Sequence, residues 1–128
     1  TAEGLEVVPL KVVKAVLPDP SSLAPSYTGK TCIGDLVKGV KDGKEREVFI
    51  YNVADHKEAY EEVGSQGISY TAGVPAVAAA MLIASGEWDV KRMANVEELS
   101  AQPFLGLLAR IGLPTRIRDE DGDRALTF

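Results

Sequence analysis

The stretch at residues 31–53, TCIGDLVKGV-KDGK-EREVFIYNV, decides the fold of this chain. Residues 31–40 and 45–53 are each predicted to form a strand, because they are rich in β-branched and aromatic side chains. Residues 41–44 hold an Asp-Gly pair, which is typical of the two-residue type I′ turn of a hairpin. The second strand carries apolar side chains on both faces. This pattern predicts a strand that is buried on two sides or that faces a subunit partner.

The region before the hairpin is predicted to contain a short helix and a proline-rich loop. Pro9 suits the first turn of a helix that runs to about Val16. Four apolar residues of this region are expected to face a core: Leu10, Val13, Val16 and Leu17. Three prolines within residues 18–26 are expected to exclude regular structure from that segment.

The region after the hairpin is predicted to be mainly helical. Asp55 is expected to cap a helix over residues 56–63. A second helix is predicted to begin with Pro75 at its first position and to run to about Ser85, with Gly86 as its C-cap. This helix is apolar on all sides, which indicates that it is buried or packs against a partner.

The last part of the chain is predicted to hold two short helices and two short strands. Asn95 can cap a helix over residues 96–99, and Pro103 can begin another over residues 104–111. The tail after Thr115 is predicted to form a strand, a DEDGD turn and a second strand. The fold class is therefore α+β, with a β-hairpin-containing mixed sheet packed against helices.

Composition excludes several classes of function. The chain has 128 residues, a net charge of -5 and a pI of about 4.9, which argues against nucleic acid and anionic membranes as partners. A single His and a single Cys make a zinc site untenable. Cys32 is interpreted as a small core residue, and a reducing, cytoplasmic location is expected. The longest apolar run, residues 74–84, is shorter than the about 20 residues of a membrane span.

Phosphate-binding motifs are missing from the sequence. No G-x-G-x-x-G occurs, so the chain alone is not expected to bind NAD(P). Gly29-Lys30-Thr31 is similar to the end of a P-loop, but Ala24 stands where that motif needs its first glycine. The acidic run at residues 119–123 is interpreted as a solvated turn and not as a calcium loop.

Polar residues gather at the predicted junctions between elements, where binding residues often lie on a rigid scaffold. For any single one of these residues, a role in helix capping or turn formation is at least as good an explanation as a role in binding. The candidates are Tyr27, Thr28, Lys30 and Thr31 before the hairpin, Asn52, Asp55 and His56 after it, and Ser69, Tyr70 and Thr71 before the apolar helix.

Three stretches at these junctions resemble a known family. VLPDPSSLAPSYTGKTCIGDLVKG at 16–39, EVFIYNVADHKEAY at 47–60 and ISYTAGVPAVAAA at 68–80 are similar to the saccharopine dehydrogenase family, and within it to the carboxynorspermidine (carboxyspermidine) dehydrogenase branch. The resemblance covers residues 6–114. It implies an N-terminal Rossmann domain followed by an α+β domain that binds substrate and forms the dimer. Residues 1–128 are then expected to be a single-domain fragment from the later part of that second domain.

The resemblance also implies a reaction. In that branch a diamine condenses with aspartate semialdehyde, and NADP(H) reduces the resulting imine in polyamine biosynthesis. NADP(H) is expected to be bound by the Rossmann domain, so the fragment alone is expected to be inactive. A homodimer is expected as well. Two alternatives remain open, a saccharopine reductase-type dehydrogenase of lysine metabolism and a non-catalytic self-association module.

For this reaction, residue roles are hypothesised from side-chain type and position. Lys30 is the candidate for the substrate carboxylate, and Asp35 or Asp55 for the distal ammonium of the diamine. His56, Tyr70 and Thr71 are expected to form hydrogen bonds with the substrate. The substrate-binding candidates are Tyr27, Lys30, Thr31, Asp35, Asp55, His56, Tyr70 and Thr71. Ala72 departs from the Thr expected after Tyr70-Thr71, which removes a hydroxyl there, and no proton-transferring residue is assigned.

Overall fold

The predicted hairpin is present in the computed structural model, which describes Gly4 and residues 6–127. Strand β1 (Lys30–Lys41) pairs with β2 (Lys44–Asp55) in one continuous antiparallel ladder. Asp42 and Gly43 have φ angles of 53° and 74°, the two positive values that a type I′ turn requires. The prediction of the hairpin and of its turn is therefore confirmed, and each strand is longer than predicted.

The tail of the chain extends the same sheet. Strands β3 (Thr115–Asp119) and β4 (Gly122–Ala125) form a second hairpin, and β3 pairs with β2 over Phe49 to Asn52. The strand order is β1-β2-β3-β4, and each described pairing is antiparallel, so the sheet is not mixed. The predicted α+β class and the strand-turn-strand tail are confirmed.

Helices cover one part of this sheet. The described α-helices are α1 (Pro9–Val16), α2 (Pro20–Leu23), α3 (His56–Val63), α4 (Gly67–Ala84) and α5 (Ala101–Arg110). Helix α4 contacts α3, α5 and the first hairpin. The prediction that it begins at Pro75 is wrong, because Pro75 lies inside a helix that begins at Gly67. Pro75 has no backbone N–H, so one helical hydrogen bond is lost there. The contacts of α4 with the surrounding elements stabilise the two turns that precede the proline.

The core consists of two clusters that meet along α4. One contains Ala78 and Leu82 of α4 with Trp88, Leu107 and Leu108. The other contains Tyr70 of α4 with Ala54, Ala59 and Leu113. Because Val74 packs against both, α4 joins the end of the sheet to α5. This arrangement fixes the end of β2 and the start of α4 relative to each other.

Three predictions for the first half of the chain are wrong. The apolar side chains of α1 are exposed, Leu10 at 76% and Val16 at 74%, and no described element packs extensively against that helix. The proline-rich segment contains α2, which begins with Pro20 at a position that tolerates proline, capped by the Asp19 side chain. Cys32 is exposed on the edge strand β1 instead of lying in the core.

Helix α4 is long and apolar enough to cross a membrane by length and composition alone. It has 18 residues with a mean hydropathy of 1.6. The helix is longer than the apolar run at residues 74–84, because it begins before Pro75. It contacts the first hairpin, α3 and α5, and 28% of this span is buried, so a single helix of this kind is weak evidence for a membrane span.

The pair of Asp119 and Arg124 in the tail hairpin gives a pH-dependence that can be measured. Arg124 donates hydrogen bonds of 2.7 and 2.8 Å to the two carboxylate oxygens, and this pairing lowers the pKa of Asp119 from 3.8 to about 2. Because the folded pKa is depressed, the stability from this pair is fully present above about pH 4 and is lost as the pH falls through about 2. Arg124→Gln is expected to return the pKa of Asp119 towards 3.8 in a carboxyl-carbon NMR titration. An unchanged pKa near 2 in the variant would contradict the assignment.

Candidate functional site

The junction between β2 and α3 positions Asp55 and His56. Asp55 caps α3, since its carboxylate accepts hydrogen bonds from the backbone N–H groups of Lys57 and Glu58 at 2.9 and 3.2 Å. The bond from Glu58 is the largest cause of a lowered pKa for Asp55, which keeps this carboxylate charged at neutral pH. The backbone N–H of His56 donates to the carbonyl of Gly29 at 3.0 Å, which ties this junction to the segment before β1.

The His56 ring is held on three sides. Its Nδ1 accepts a hydrogen bond from the backbone N–H of Gly67, the first residue of α4, at 3.0 Å. Its Nε2 lies 3.3 Å from the Thr31 hydroxyl oxygen, and its ring centroid lies 5.1 Å from that of Tyr27. The structure therefore brings Tyr27, Thr31 and His56 together at the start of β1. We call these three residues, with Lys30 and Asp55, the junction cluster.

These contacts predict the tautomer of His56. Since Nδ1 accepts from a backbone N–H, the neutral ring must carry its proton on Nε2 and donate it to Thr31. Imidazole nitrogen shifts from ¹⁵N NMR at alkaline pH are expected to show the Nε2–H form, and the single His of the chain makes the signal unambiguous. Thr31→Val is the matched comparison, because it removes the Nε2 partner and keeps the Gly67 bond. A proton found on Nδ1 would contradict this geometry.

Lys30 lies directly beside Asp55 in the sheet. The two residues are cross-strand partners at the base of the hairpin, and the charge of Lys30 contributes to the lowered pKa of Asp55. Among the ion pairs of the described residues, none uses the Lys30 ammonium. Lys30 is exposed, so its charge is accessible to an anionic group.

Asp35 does not join the junction cluster. It lies opposite Ile50 on β2, five positions along β1 from Lys30, which corresponds to about 16 Å. Of the two carboxylates considered for the distal ammonium, the structure places Asp55 with the other candidates and Asp35 apart from them.

Tyr70 and Thr71 are buried at the start of α4. The Tyr70 hydroxyl lies 3.2 and 3.1 Å from the two carboxylate oxygens of Glu62, to which it donates its proton. Burial is the largest cause of a raised pKa for Tyr70, and Glu62 adds to it, so the hydroxyl stays protonated. The Thr71 hydroxyl donates to the carbonyl of Ile68 in its own helix at 3.1 Å, so its proton is already used there.

A cleft of about 440 Å³ opens beside Tyr70, between α3, α4 and the residue after α5. Its walls are mostly apolar, and Glu62 is the carboxylate among its lining residues. Sequence reasoning missed Glu62, because the motif HKEAYEEV holds three glutamates and does not show which of them α4 faces. The hydrogen bond from Tyr70, eight positions later, distinguishes Glu62 only once both helices are placed.

The described residues do not fit the pyrophosphate of a dinucleotide. Within residues 6–127, the strand-to-helix passage is the direct step from Asp55 to His56, which has no glycine turn through which a phosphate could approach the backbone. Within the same range, no three His, Cys, Asp or Glu side chains converge in a way that could hold a metal ion.

Comparison with known proteins gives matches along most of the chain. The family described as Saccharopine dehydrogenase C-terminal domain matches residues 1–113. Carboxynorspermidine synthase of Vibrio alginolyticus is 56% identical over 117 residues, which is 91% of this chain and 28% of that protein. Carboxynorspermidine synthase of Vibrio cholerae is 55% identical over 111 residues, which is 87% of this chain and 27% of that protein.

A third relative carries a different name. Carboxyaminopropylagmatine dehydrogenase of Synechocystis sp. is 49% identical over 112 residues, which is 88% of this chain and 28% of that protein. The chain therefore spans less than a third of the length of these curated relatives.

Proposed function

Because the chain belongs to the saccharopine dehydrogenase C-terminal domain family, we propose that it is the substrate-binding part of an oxidoreductase of polyamine biosynthesis. The proposed reaction is the reduction of the imine between a diamine and aspartate semialdehyde. The observation that carries the proposal is the 49–56% identity to relatives named for carboxynorspermidine and carboxyaminopropylagmatine. The gathering of Lys30, Asp55 and His56 at one end of the hairpin supports it.

The proposed cofactor, NADP(H), is bound by a part of the enzyme outside this chain. When bound, it supplies the hydride for the imine carbon. Residues 1–128 are proposed to be one portion of the substrate and dimerisation domain, which is expected to be inactive alone. The homodimer and the cytoplasmic location stay predictions.

The junction cluster is suited to bind and orient the semialdehyde. The Lys30 ammonium is proposed to pair with the substrate carboxylate, which would otherwise be repelled by the nearby Asp55. Thr31 offers a hydroxyl group beside the His56 ring, and Tyr27 an aromatic ring. Holding the aldehyde carbon in one orientation favours attack by the amine and later reduction of the imine, because the entropic cost of reaching the reactive geometry is met on binding.

A saccharopine reductase-type reaction is the second candidate, because the family description itself names saccharopine dehydrogenase. Both reactions reduce an imine between an amine and an amino acid semialdehyde, so the same residues could serve either. The amine separates them. A diamine has a cationic far end, whereas an amino acid amine adds a carboxylate.

The Lys30 role predicts a specific kinetic change in the full-length enzyme. Lys30→Met is expected to raise the KM for the semialdehyde about tenfold, because a charge-assisted hydrogen bond to the carboxylate is lost. The KM for the diamine is expected to change much less. Lys41→Met is the matched control, since Lys41 ends the same strand at the hairpin turn, far from the junction cluster. Equal KM values for the semialdehyde in both variants would contradict the proposed role of Lys30 in binding the substrate carboxylate.

A further inference from the structure

The cleft beside Tyr70 has the lining of a site for an elongated apolar group with a charged end. Its apolar wall is formed by Val63, Val74, Val77 and Met81. Val77 and Met81 are 56% and 46% exposed, so the wall is accessible from outside. A volume of about 440 Å³ is within the range of small-molecule sites.

The polar end of the cleft is negative. The Glu62 carboxylate accepts a hydrogen bond from the Tyr70 hydroxyl, and among the described residues no ion pair includes Glu62. Tyr70 is buried in the core cluster with Ala54 and Leu113, and its hydroxyl restrains the exposed Glu62 side chain at the cleft wall. A carboxylate with a neutral donor on one side and an apolar wall on the other is complementary to a cation that carries a hydrocarbon chain.

The cleft is connected to the junction cluster by shared residues. A smaller cavity of about 70 Å³ is lined by Asp55 of the junction cluster and by Glu58, Glu62 and Tyr70. Asp55, Glu58 and Glu62 lie three and four positions apart, so they share one face of the α3 region. The acidic side chains of Asp55, Glu58 and Glu62 therefore form a row that leads from the junction cluster to the cleft.

We infer that this cleft binds the far, cationic end of the amine substrate, with its ammonium paired with Glu62 and the adjoining methylene groups on Val63 and Val74 of the apolar wall. The inference rests on the proposed function for the identity of the amine. It assigns the distal ammonium to Glu62 and not to Asp35, which lies away from both the cleft and the junction cluster. An anionic ligand would be repelled by Glu62, and a purely apolar segment would leave that carboxylate unpaired.

Direct binding to the full-length protein tests the inference. Calorimetric titrations would compare putrescine with butylamine, which has the same carbon chain and one ammonium. The wild type is expected to bind putrescine more tightly. Glu62→Gln is expected to weaken putrescine binding by about tenfold or more and to leave butylamine binding nearly unchanged, because a charged partner of the second ammonium is lost.

Two further variants control this experiment. Glu61→Gln removes a neighbouring charge that pairs with Lys57 at 3.8 Å and does not line the cleft, so its putrescine affinity is expected to equal that of the wild type. Tyr70→Phe retains the buried ring and removes the hydroxyl that fixes Glu62, and it is expected to weaken putrescine binding less than Glu62→Gln does. Equal putrescine affinity in the wild type and in Glu62→Gln would overturn the inference, as would a wild type that does not bind putrescine.

The outcomes separate this inference from the proposed function. Glu62-dependent putrescine binding without reductase activity would refute the proposed reaction and retain the amine site. Reductase activity with a diamine preference that survives Glu62→Gln would retain the reaction and place the ammonium elsewhere.

Discussion

Replacing Leu113 with Ala is expected to lower the free energy of unfolding by about 2–5 kcal/mol. Leu113 is only 1% exposed and packs with Ala54, Ala59 and Tyr70 where the sheet, α3 and α4 meet. Removing its side chain leaves a cavity that these neighbours can fill only in part. The loss is measurable by urea unfolding of this chain, followed through the fluorescence of its single tryptophan, Trp88, which lies in the other core cluster.

Leu10→Ala is the matched control for this change. Leu10 is 76% exposed on α1, so the same substitution is expected to change stability by no more than about 0.5 kcal/mol. If both variants lost the same stability, Leu113 would not occupy the centre of the core.

Gly112→Ala is expected to destabilise the chain by about 2–4 kcal/mol through strain and overpacking. Gly112 has a φ of 94°, and a Cβ atom there would lie 2.5 Å from the Tyr70 hydroxyl oxygen. Tyr70 is buried, so its ring cannot move aside without losing core contacts. A displaced hydroxyl would also lose Glu62, so putrescine affinity is expected to fall together with stability.

Gly86→Ala isolates the backbone part of this effect. Gly86 has a φ of 77°, and a Cβ atom there would meet no other atom within 4 Å, so only the cost of the left-handed conformation applies, about 1 kcal/mol. The difference between the two variants measures the contact with Tyr70. Equal losses in both would show that position 112 is not close to the tyrosine.

The hairpin and the first residues of α3 could be predicted from sequence because local chemistry determines them. The Asp-Gly pair at 42–43 requires the turn that forms, and Asp55 has the side chain that caps a helix. The short tail strands followed from the same reasoning, since a DEDGD turn separates them. Their pairing with β2 could not be predicted, because it depends on a contact between distant parts of the chain.

The start of α4 and the environment of α1 depend on tertiary contacts. Local rules place Pro75 at the beginning of a helix, yet packing against the sheet and α3 stabilises two turns before it. The apolar stripe of α1 indicates burial, but nothing in the described part of the chain covers it.

The candidate site was predicted in part. Tyr27, Lys30, Thr31, Asp55 and His56 converge because the hairpin register returns β2 to the start of β1. Asp35 was included by residue type alone, and the register places it elsewhere. Glu62 was not among the candidates, because its hydrogen bond with Tyr70 depends on the distance between two helices, which sequence spacing does not give.

One assay tests the central proposal most directly. The full-length protein would be given NADPH, either aspartate semialdehyde or aminoadipate semialdehyde, and one amine at a time from a panel of propane-1,3-diamine, putrescine, agmatine and glutamate. NADPH oxidation is predicted to require both aspartate semialdehyde and a diamine or agmatine. Mass spectrometry is expected to show a product in which the amine carries the four-carbon amino acid chain of the semialdehyde. Oxidation that occurs only with glutamate and aminoadipate semialdehyde, or that occurs with no amine of the panel, would contradict the account.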